Sequence, residues 1–280
     1  MTMNQVEFEN YHETSKRYDK TRTPIGIEIL LGCFASTPRA LTEQRILDVG
    51  CGTGNYLNAL KGKIKRLHGL ELNEGMLAQA QKKFQNDSNV LLDDGSLLEP
   101  LPYNNNIFDG MMCNQVLHHL VEESNQENFP QVRRIMEDAH RVLRSQGVFV
   151  INSSSHPQLY DGFWWADLIP EAVGRIAERF PPVELLVSML KEVGFRRGGM
   201  VVPVDAVLQG ENYLEPTGPL NKSFRDGDST WSLATNEELE LALERVRKMN
   251  QDSSIAQYLE TRENLRKKIG QTTFIFAYKE

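Results

Sequence analysis

The run Ile46-Leu47-Asp48-Val49-Gly50-Cys51-Gly52-Thr53-Gly54 constrains this chain more tightly than any other segment. Ile46, Leu47 and Val49 predict a short buried strand, and glycines at alternate positions stop it abruptly. Glycine is required where backbone turns sharply and a ligand comes close, because a Cβ would occupy that space. Asn55 to Leu60 predicts a helix immediately afterwards, with the loop's N–H groups expected free at its positive end. Strand, glycine turn and helix open a nucleotide-type site in an open α/β sheet.

The dinucleotide form G-x-G-x-x-G is absent, since Asn55 stands where its third glycine belongs. The form present is Asp48-x-Gly50-x-Gly52-x-Gly54. Next, Leu67 to Glu71 predicts a second strand ending in a carboxylate, 21 residues after Gly50. That is about the separation at which a second-strand acid reaches a ribose, and a carboxylate can accept from both ribose hydroxyls. Val90 to Ser96 predicts a third strand running into the acidic turn Asp93-Asp94-Gly95-Ser96. Then come Leu101-Pro102-Tyr103, Phe108-Asp109, the apolar strand Gly110 to Cys113, and Asn114-Gln115-Val116-Leu117-His118-His119-Leu120.

These motifs, in this order over about residues 10 to 153, resemble the class I S-adenosylmethionine (SAM)-dependent methyltransferases. The resemblance implies an α/β fold: a seven-stranded, mostly parallel sheet with helices on both faces. It implies that Gly50, Cys51, Gly52 and Gly54 cradle the methionine end of SAM, with Asp48 orienting the loop. Glu71 and Leu72 would meet the ribose, and Asp94, Gly95 and Ser96 the adenine, with Asp93 as the competing acid. The Asn114 and Gln115 backbone would lie under the methionine, and Tyr18 or Arg22 would meet its carboxylate. The turn Ser145-Gln146-Gly147 departs from the family's usual Pro-Gly-Gly.

Composition narrows the partner. A net charge of −7 runs against phosphate-gripping nucleic-acid binders. The N/D-P-P-Y motif of amino-group methyltransferases acting on nucleic acids is absent after the fourth strand. No apolar run approaches a membrane span, and the N-terminus lacks a signal-peptide layout. Cys33, Cys51 and Cys113 form no C-x-x-C pair, which suits a reducing cytoplasm and argues against a metal site. The reading is therefore a cytoplasmic enzyme, monomer or homodimer, methylating O, N or S of a small molecule and releasing S-adenosylhomocysteine. A catalytically silent SAM-binding protein and a nicotinamide-dependent oxidoreductase are the alternatives.

The rest of the chain is read as a cap. A helical lid spans 1–44, with a helix expected from Pro24 onward, and the SAM-binding domain spans 45–208 with a cap insert at 154–180. A second insert spans 209–270, and 271–280 returns as the last strand. Val201 to Leu208 is expected as strand 6, a helix at Pro181 to Val193, and a capping box at Thr235-x-x-Glu238. His156, just after the fifth strand, is the first candidate base, with His119 behind it. Tyr11, Tyr160, Trp164, Trp165, Tyr213 and Trp231 are the candidate acceptor walls, and Asp226 and Asp228 beside them would suit a cationic acceptor.

Overall fold

Unbroken apolar runs such as Met111-Met112-Cys113 must be covered on both faces of a sheet. The structure, a computed structural model describing residues 22–121 and 128–280, covers them with helices. The strands are β1 (Arg45–Val49), β2 (Arg66–Glu71), β3 (Val90–Asp94), β4 (Phe108–Asn114), β5 (Leu143–Ser153), β6 (Phe195–Val201) and β7 (Thr273–Lys279). They form one sheet in the order β3-β2-β1-β4-β5-β7-β6, in which only β7 runs against its neighbours. The expected seven-stranded, mostly parallel sheet is thus the observed one.

Alternation along each strand divides the core. Ile46, Met112, Val148 and Val150 face Leu30 and Phe34 of α1 (Ile27–Ala35) and Leu57 and Leu60 of α2 (Asn55–Leu60). The α3 helix (Glu74–Lys83) packs on β2 and β3. Leu47, Val49, Met111, Phe149 and Ile151 belong to the opposite core. There they meet Val132, Ile135 and Ala139 of α4 (Pro130–Val142), whose apolar residues recur at helical spacing.

The first insert folds as α5 (His156–Asp161) and α6 (Pro170–Ala177), followed by α7 (Val183–Val193). The second contains α8 (Lys222–Arg225), α9 (Asn236–Gln251) and α10 (Ile255–Ile269). The two inserts interlock. Glu238 on α9 accepts from the N–H groups of Glu171 and Ala172 at 2.8 and 3.1 Å, capping α6 from another segment. The capping box is therefore half formed. Thr235 accepts from the Glu238 N–H at 3.1 Å, but the Glu238 carboxylate serves α6 and Arg175 instead.

Three local expectations need correction. The leader helix begins at Ile27 rather than Pro24. The turn at Ser145–Gly147 lies inside β5, where its register against β4 shifts. Strand 6 is Phe195–Val201, not Val201–Leu208. Gly198 and Gly199 make that segment read as a break, but an edge strand tolerates them, whereas Pro203 cannot continue a ladder. Glu238→Ala is expected to lower unfolding free energy by about 2 kcal/mol, since it strands two helix N–H groups. Glu238→Gln should lose less, and urea unfolding of the three proteins checks both.

Candidate active site

The chain leaves β1 toward β2 on one side and returns to β4 on the other, so a crevice opens at their carboxyl ends. A cavity occupies it, lined by Asp48, Gly50, Cys51 and Gly52 from the β1 end and Asn114 and Gln115 from the β4 end. Its far side is formed by the inserts, through Leu159, Phe163, Trp165, Ile176, Phe180 and Leu208. Arg22, His118, His119, Asp228 and Thr230 complete the rim.

Gly50 and Gly54 adopt φ of 70° and 79°, a region side chains rarely enter. A Cβ on Gly50 would lie 2.7 Å from Val116, and one on Gly54 2.5 Å from Phe84. The expected free N–H groups are not free. Those of Gly50 and Cys51 donate to the Leu70 carbonyl at 2.8 and 3.1 Å, and that of Gly54 to the Cys51 carbonyl at 2.9 Å. Gly52 N–H donates to Glu71 Oε2 at 2.8 Å. The loop folds onto β2, and what it offers a ligand is close approach rather than donors.

Glu71 also accepts from Asn73 N–H at 2.8 Å through Oε1, so both carboxylate oxygens are held in place. Burial outweighs those donors and raises its pKa. Asp94 pairs with Glu71 in the β2–β3 register and is exposed, while Asp93 accepts from the Tyr103 hydroxyl at 2.9 Å. Gly95 N–H donates to the Glu71 carbonyl at 3.2 Å, and Ser96 Oγ caps the following turn at Leu98 N–H. Glu71, exposed Leu72, Asp94, Gly95 and Ser96 thus stand together beyond the enclosed cavity, at the ends of β2 and β3.

Asp48 is buried at the cavity floor, and Asn114 Nδ2 donates to it at 3.4 Å. Burial pushes its pKa up to about 8. The Asn114 Oδ1 atom has no partner. Gln115, at φ 55°, donates to Asn152 Oδ1 and Thr272 Oγ1 at 3.3 and 2.8 Å, and Thr272 Oγ1 also donates to Asn152. Asn152 in turn donates to the Tyr56 hydroxyl at 3.1 Å. Tyr56 and Asn152 escaped the sequence reading, because an isolated Tyr in a helix and an Asn in a strand carry no motif.

His156 does not line the cavity. Its Nε2 meets the Phe180 carbonyl at 2.8 Å, because the Ser155–Gln158 capping box turns the first residue of α5 toward the end of the insert. Phe180, another residue without a sequence signal, instead stacks on His118 at 4.3 Å. The buried His118 and its neighbour His119 both border the cavity, their rings 4.0 Å apart. Desolvation of the His119 ring and the charges of Arg22 and Arg179 lower its pKa to about 4, although the residue as a whole is exposed. Burial and the same charges, with His119, hold His118 well below the ordinary value.

Of the candidate acceptor walls, Trp165 lines the cavity. Trp164 and Tyr213 do not, because they satisfy each other: the Trp164 N–H and Nε1 donate to the Tyr213 hydroxyl and carbonyl at 2.9 and 2.5 Å. Trp231 backs Trp165 at 5.4 Å, and Tyr160 lies exposed outside. Asp228 pairs with Arg22 at 3.4 Å and caps its own turn at Thr230, and Asp226 binds Lys222, so both carboxylates are already engaged. Tyr11 and Tyr18 lie outside the described residues. Among the described residues no His, Cys, Asp and Glu cluster could hold a metal ion, and no helix is long and apolar enough to cross a membrane.

Residues 47–151 match the family model of the methyltransferase domain. Over these residues the chain is similar to that domain. Demethylmenaquinone methyltransferase of Staphylococcus epidermidis is 28% identical over 169 residues, covering 57% of this chain and 66% of that protein, just under two thirds. An uncharacterized methyltransferase of Bacillus subtilis is 27% identical over 130 residues, 46% of this chain and 47% of that protein. In fold, the chain is similar to an Anabaena variabilis protein named as a methyltransferase from an antibiotic biosynthesis pathway. That likeness has a TM-score of 0.72 at 21% identity, covering 92% of this chain and 99% of that one. It is also similar to Haemonchus contortus phosphoethanolamine N-methyltransferase 2 in complex with SAM, with a TM-score of 0.59 at 16% identity. There the match covers 99% of this chain and 59% of that one.

The methyl donor that this similarity implies is SAM, and the residues fit it. The Gly50 cradle would be filled by a Cβ, Asn114 Oδ1 lacks a partner, and two carboxylates stand at the β2 and β3 ends. Gly50→Ala is expected to cost about 1–2 kcal/mol for the left-handed backbone alone. Adding Val116→Ala should recover only the steric part beyond that, as read by urea unfolding.

Proposed function

We propose that this chain is a SAM-dependent methyltransferase acting on O, N or S of a small-molecule acceptor and releasing S-adenosylhomocysteine. The observation that carries the reading is the pairing of Glu71 and Asp94 at adjacent strand ends, beside a glycine loop that opens into an insert-walled cavity. Glu71, oriented by two N–H groups, has lone pairs left for the ribose hydroxyls. Asp94 is the better adenine contact, since Asp93 is spent on Tyr103. Gly50, Cys51, Gly52 and the Asn114–Gln115 backbone would hold the methionine end, with Arg22 at its rim.

Bound SAM supplies a methyl group already activated on a sulfonium. The protein's part is then alignment and exclusion of water. Phe163, Trp165, Ile176 and Phe180 wall off the acceptor side, and the Arg22–Asp228 pair draws the leader against the second insert above it. His119 borders the cavity and can accept a proton from an acceptor hydroxyl or amine, its lowered pKa making it a weak base. His118 stands beside it. His156 becomes a positioning residue that seats Phe180 on His118, and a thiolate acceptor would need no base. A net charge of −7 and three buried free cysteines support a cytoplasmic enzyme that does not use nucleic acid, which we read as a monomer or homodimer.

Isothermal titration calorimetry tests the donor. S-adenosylhomocysteine should bind in the micromolar range, and NAD should not; NAD binding without S-adenosylhomocysteine binding would sink the reading. Glu71→Ala should weaken that binding roughly tenfold or more, the loss of two hydrogen bonds to a charged group. An acceptor screen reading S-adenosylhomocysteine release then separates an active enzyme from a silent binder. With an acceptor in hand, His119→Ala should lower kcat by about 100-fold for an O or N acceptor. His156→Ala should mainly raise KM.

A further inference from the structure

Two aromatic stacks face the acceptor side of the cavity. In one, Trp165 is braced by Phe163 at 5.0 Å and by Trp231 at 5.4 Å. In the other, His118 lies almost parallel to Phe180, at 4.3 Å and 12°, and meets His119 at 4.0 Å. Phe163, Trp165, Phe180 and both histidines line the cavity, and all but His119 are buried. The Trp165 Nε1 donates to Gln209 Oε1 at 3.0 Å, so this residue offers the cavity π surface rather than a donor. Leu159, Ile176 and Leu208 fill out the wall without adding a polar side chain. Rings fixed in this way suit another ring, because aromatic pairs in offset or edge contact gain beyond the area they bury.

Charge decides what that ring carries. Aromatic faces also attract cations, but cationic side chains already bear on this end. Burial and the charges of Arg22 and Arg179 hold both imidazoles below their ordinary pKa. Asp228 and Asp226, the carboxylates on this side, are engaged by Arg22 and Lys222. An acceptor that enters charged would also give up its hydration against apolar walls. A neutral hydroxyl meets both conditions, since its oxygen turns negative only as the proton leaves, and the cations then favour it. His119 is a weak base, so that hydroxyl must be acidic, as on an aromatic ring, where a tyrosine-type hydroxyl titrates at about 10. We propose that the acceptor is a neutral phenol-type molecule, its ring held against the Trp165 and Phe180 stacks and its hydroxyl turned to His119. The proposal rests on the methyl-donor reading of the cavity and narrows it to oxygen on an aromatic ring. In the transfer, the hydroxyl proton passes to an imidazole nitrogen of His119. The oxygen's electron pair forms the O–CH₃ bond, and the pair of the breaking S–CH₃ bond returns to sulfur. The products are an aryl methyl ether and S-adenosylhomocysteine, and the exposed His119 returns its proton to solvent.

Calorimetry on the protein saturated with S-adenosylhomocysteine tests this without turnover. The probes are the phenols 4-ethylphenol and 2-naphthol, set against the saturated alcohols 4-ethylcyclohexanol and decahydro-2-naphthol. The ammonium of 2-naphthylmethylamine and the carboxylate of 2-naphthoate supply the charged comparisons. At least one phenol should bind about tenfold more tightly than its saturated and charged counterparts. With SAM in place, mass spectrometry should find the methyl ether of that phenol. Trp165→Leu should weaken phenol binding about tenfold and leave S-adenosylhomocysteine affinity within about twofold. Phe180→Leu should do the same, and it serves if the first variant does not fold. Tighter binding of a saturated alcohol, the ammonium or the carboxylate overturns the proposal, and the wild-type protein alone reads that result. Failure of both phenols to bind a protein that holds S-adenosylhomocysteine overturns it too, as does methylation of the amine without methylation of a phenol. If S-adenosylhomocysteine itself does not bind, it is the methyl-donor reading that fails, and this proposal falls with it.

Discussion

The carboxyl edge of the sheet depends on how the glycine loop is pinned to β2. Gly50 and Cys51 N–H share the Leu70 carbonyl, and Gly52 N–H takes Glu71 Oε2. One set of bonds thereby shapes the loop and aims the acid. The same compaction buries both Asp48 and Glu71, and burial raises both pKa values. The loop is thus a clamp that holds two acids at the carboxyl edge of the sheet.

The opposite wall is built by a different means. Buried amides tie the inserts to the sheet: Gln158 on α5 donates to the Ile269 and Thr272 carbonyls, and Gln271 accepts from Leu208 N–H at 2.7 Å. Thr272 joins Asn152 and Gln115 under the cavity. These bonds fix Leu208 and Leu159 in the wall from the entrance of β7, the last strand to be made. The aromatic face depends on a similar relay, in which His156 holds the Phe180 carbonyl and Phe180 stacks on His118. Cavity shape is therefore set by contacts between segments far apart in sequence.

The strand, glycine turn and second-strand acid were legible because their pattern is local. A strand stopped by Gly50 and an acid at Glu71 have positions that spacing predicts, whereas Asp94 followed from the family resemblance, with Asp93 beside it. The inserts were legible only as helices and aromatics. Nothing in the order Phe163-Trp164-Trp165 says that Trp165 faces the cavity while Trp164 turns away to Tyr213. The choice is made by a hydroxyl and a carbonyl 49 residues further along. Strand 6 was misplaced because Gly198 and Gly199 resemble a break until their edge position is known, and Glu238 looked like a local cap until α6 came within reach.

By itself, the sequence determined the α/β class, the glycine loop and the acids that follow it, since backbone sterics and strand spacing act within a few residues. The tertiary structure decided which of those groups are engaged. It spent the loop's N–H groups on β2, tied Asp93 to Tyr103, drew His156 out of the cavity and buried Asp48 at the cavity floor. The physical reason is that burial and hydrogen-bond satisfaction are properties of the packed interior. A residue's chemistry is written in its side chain, but its charge state and its free lone pairs depend on which distant groups the fold places beside it.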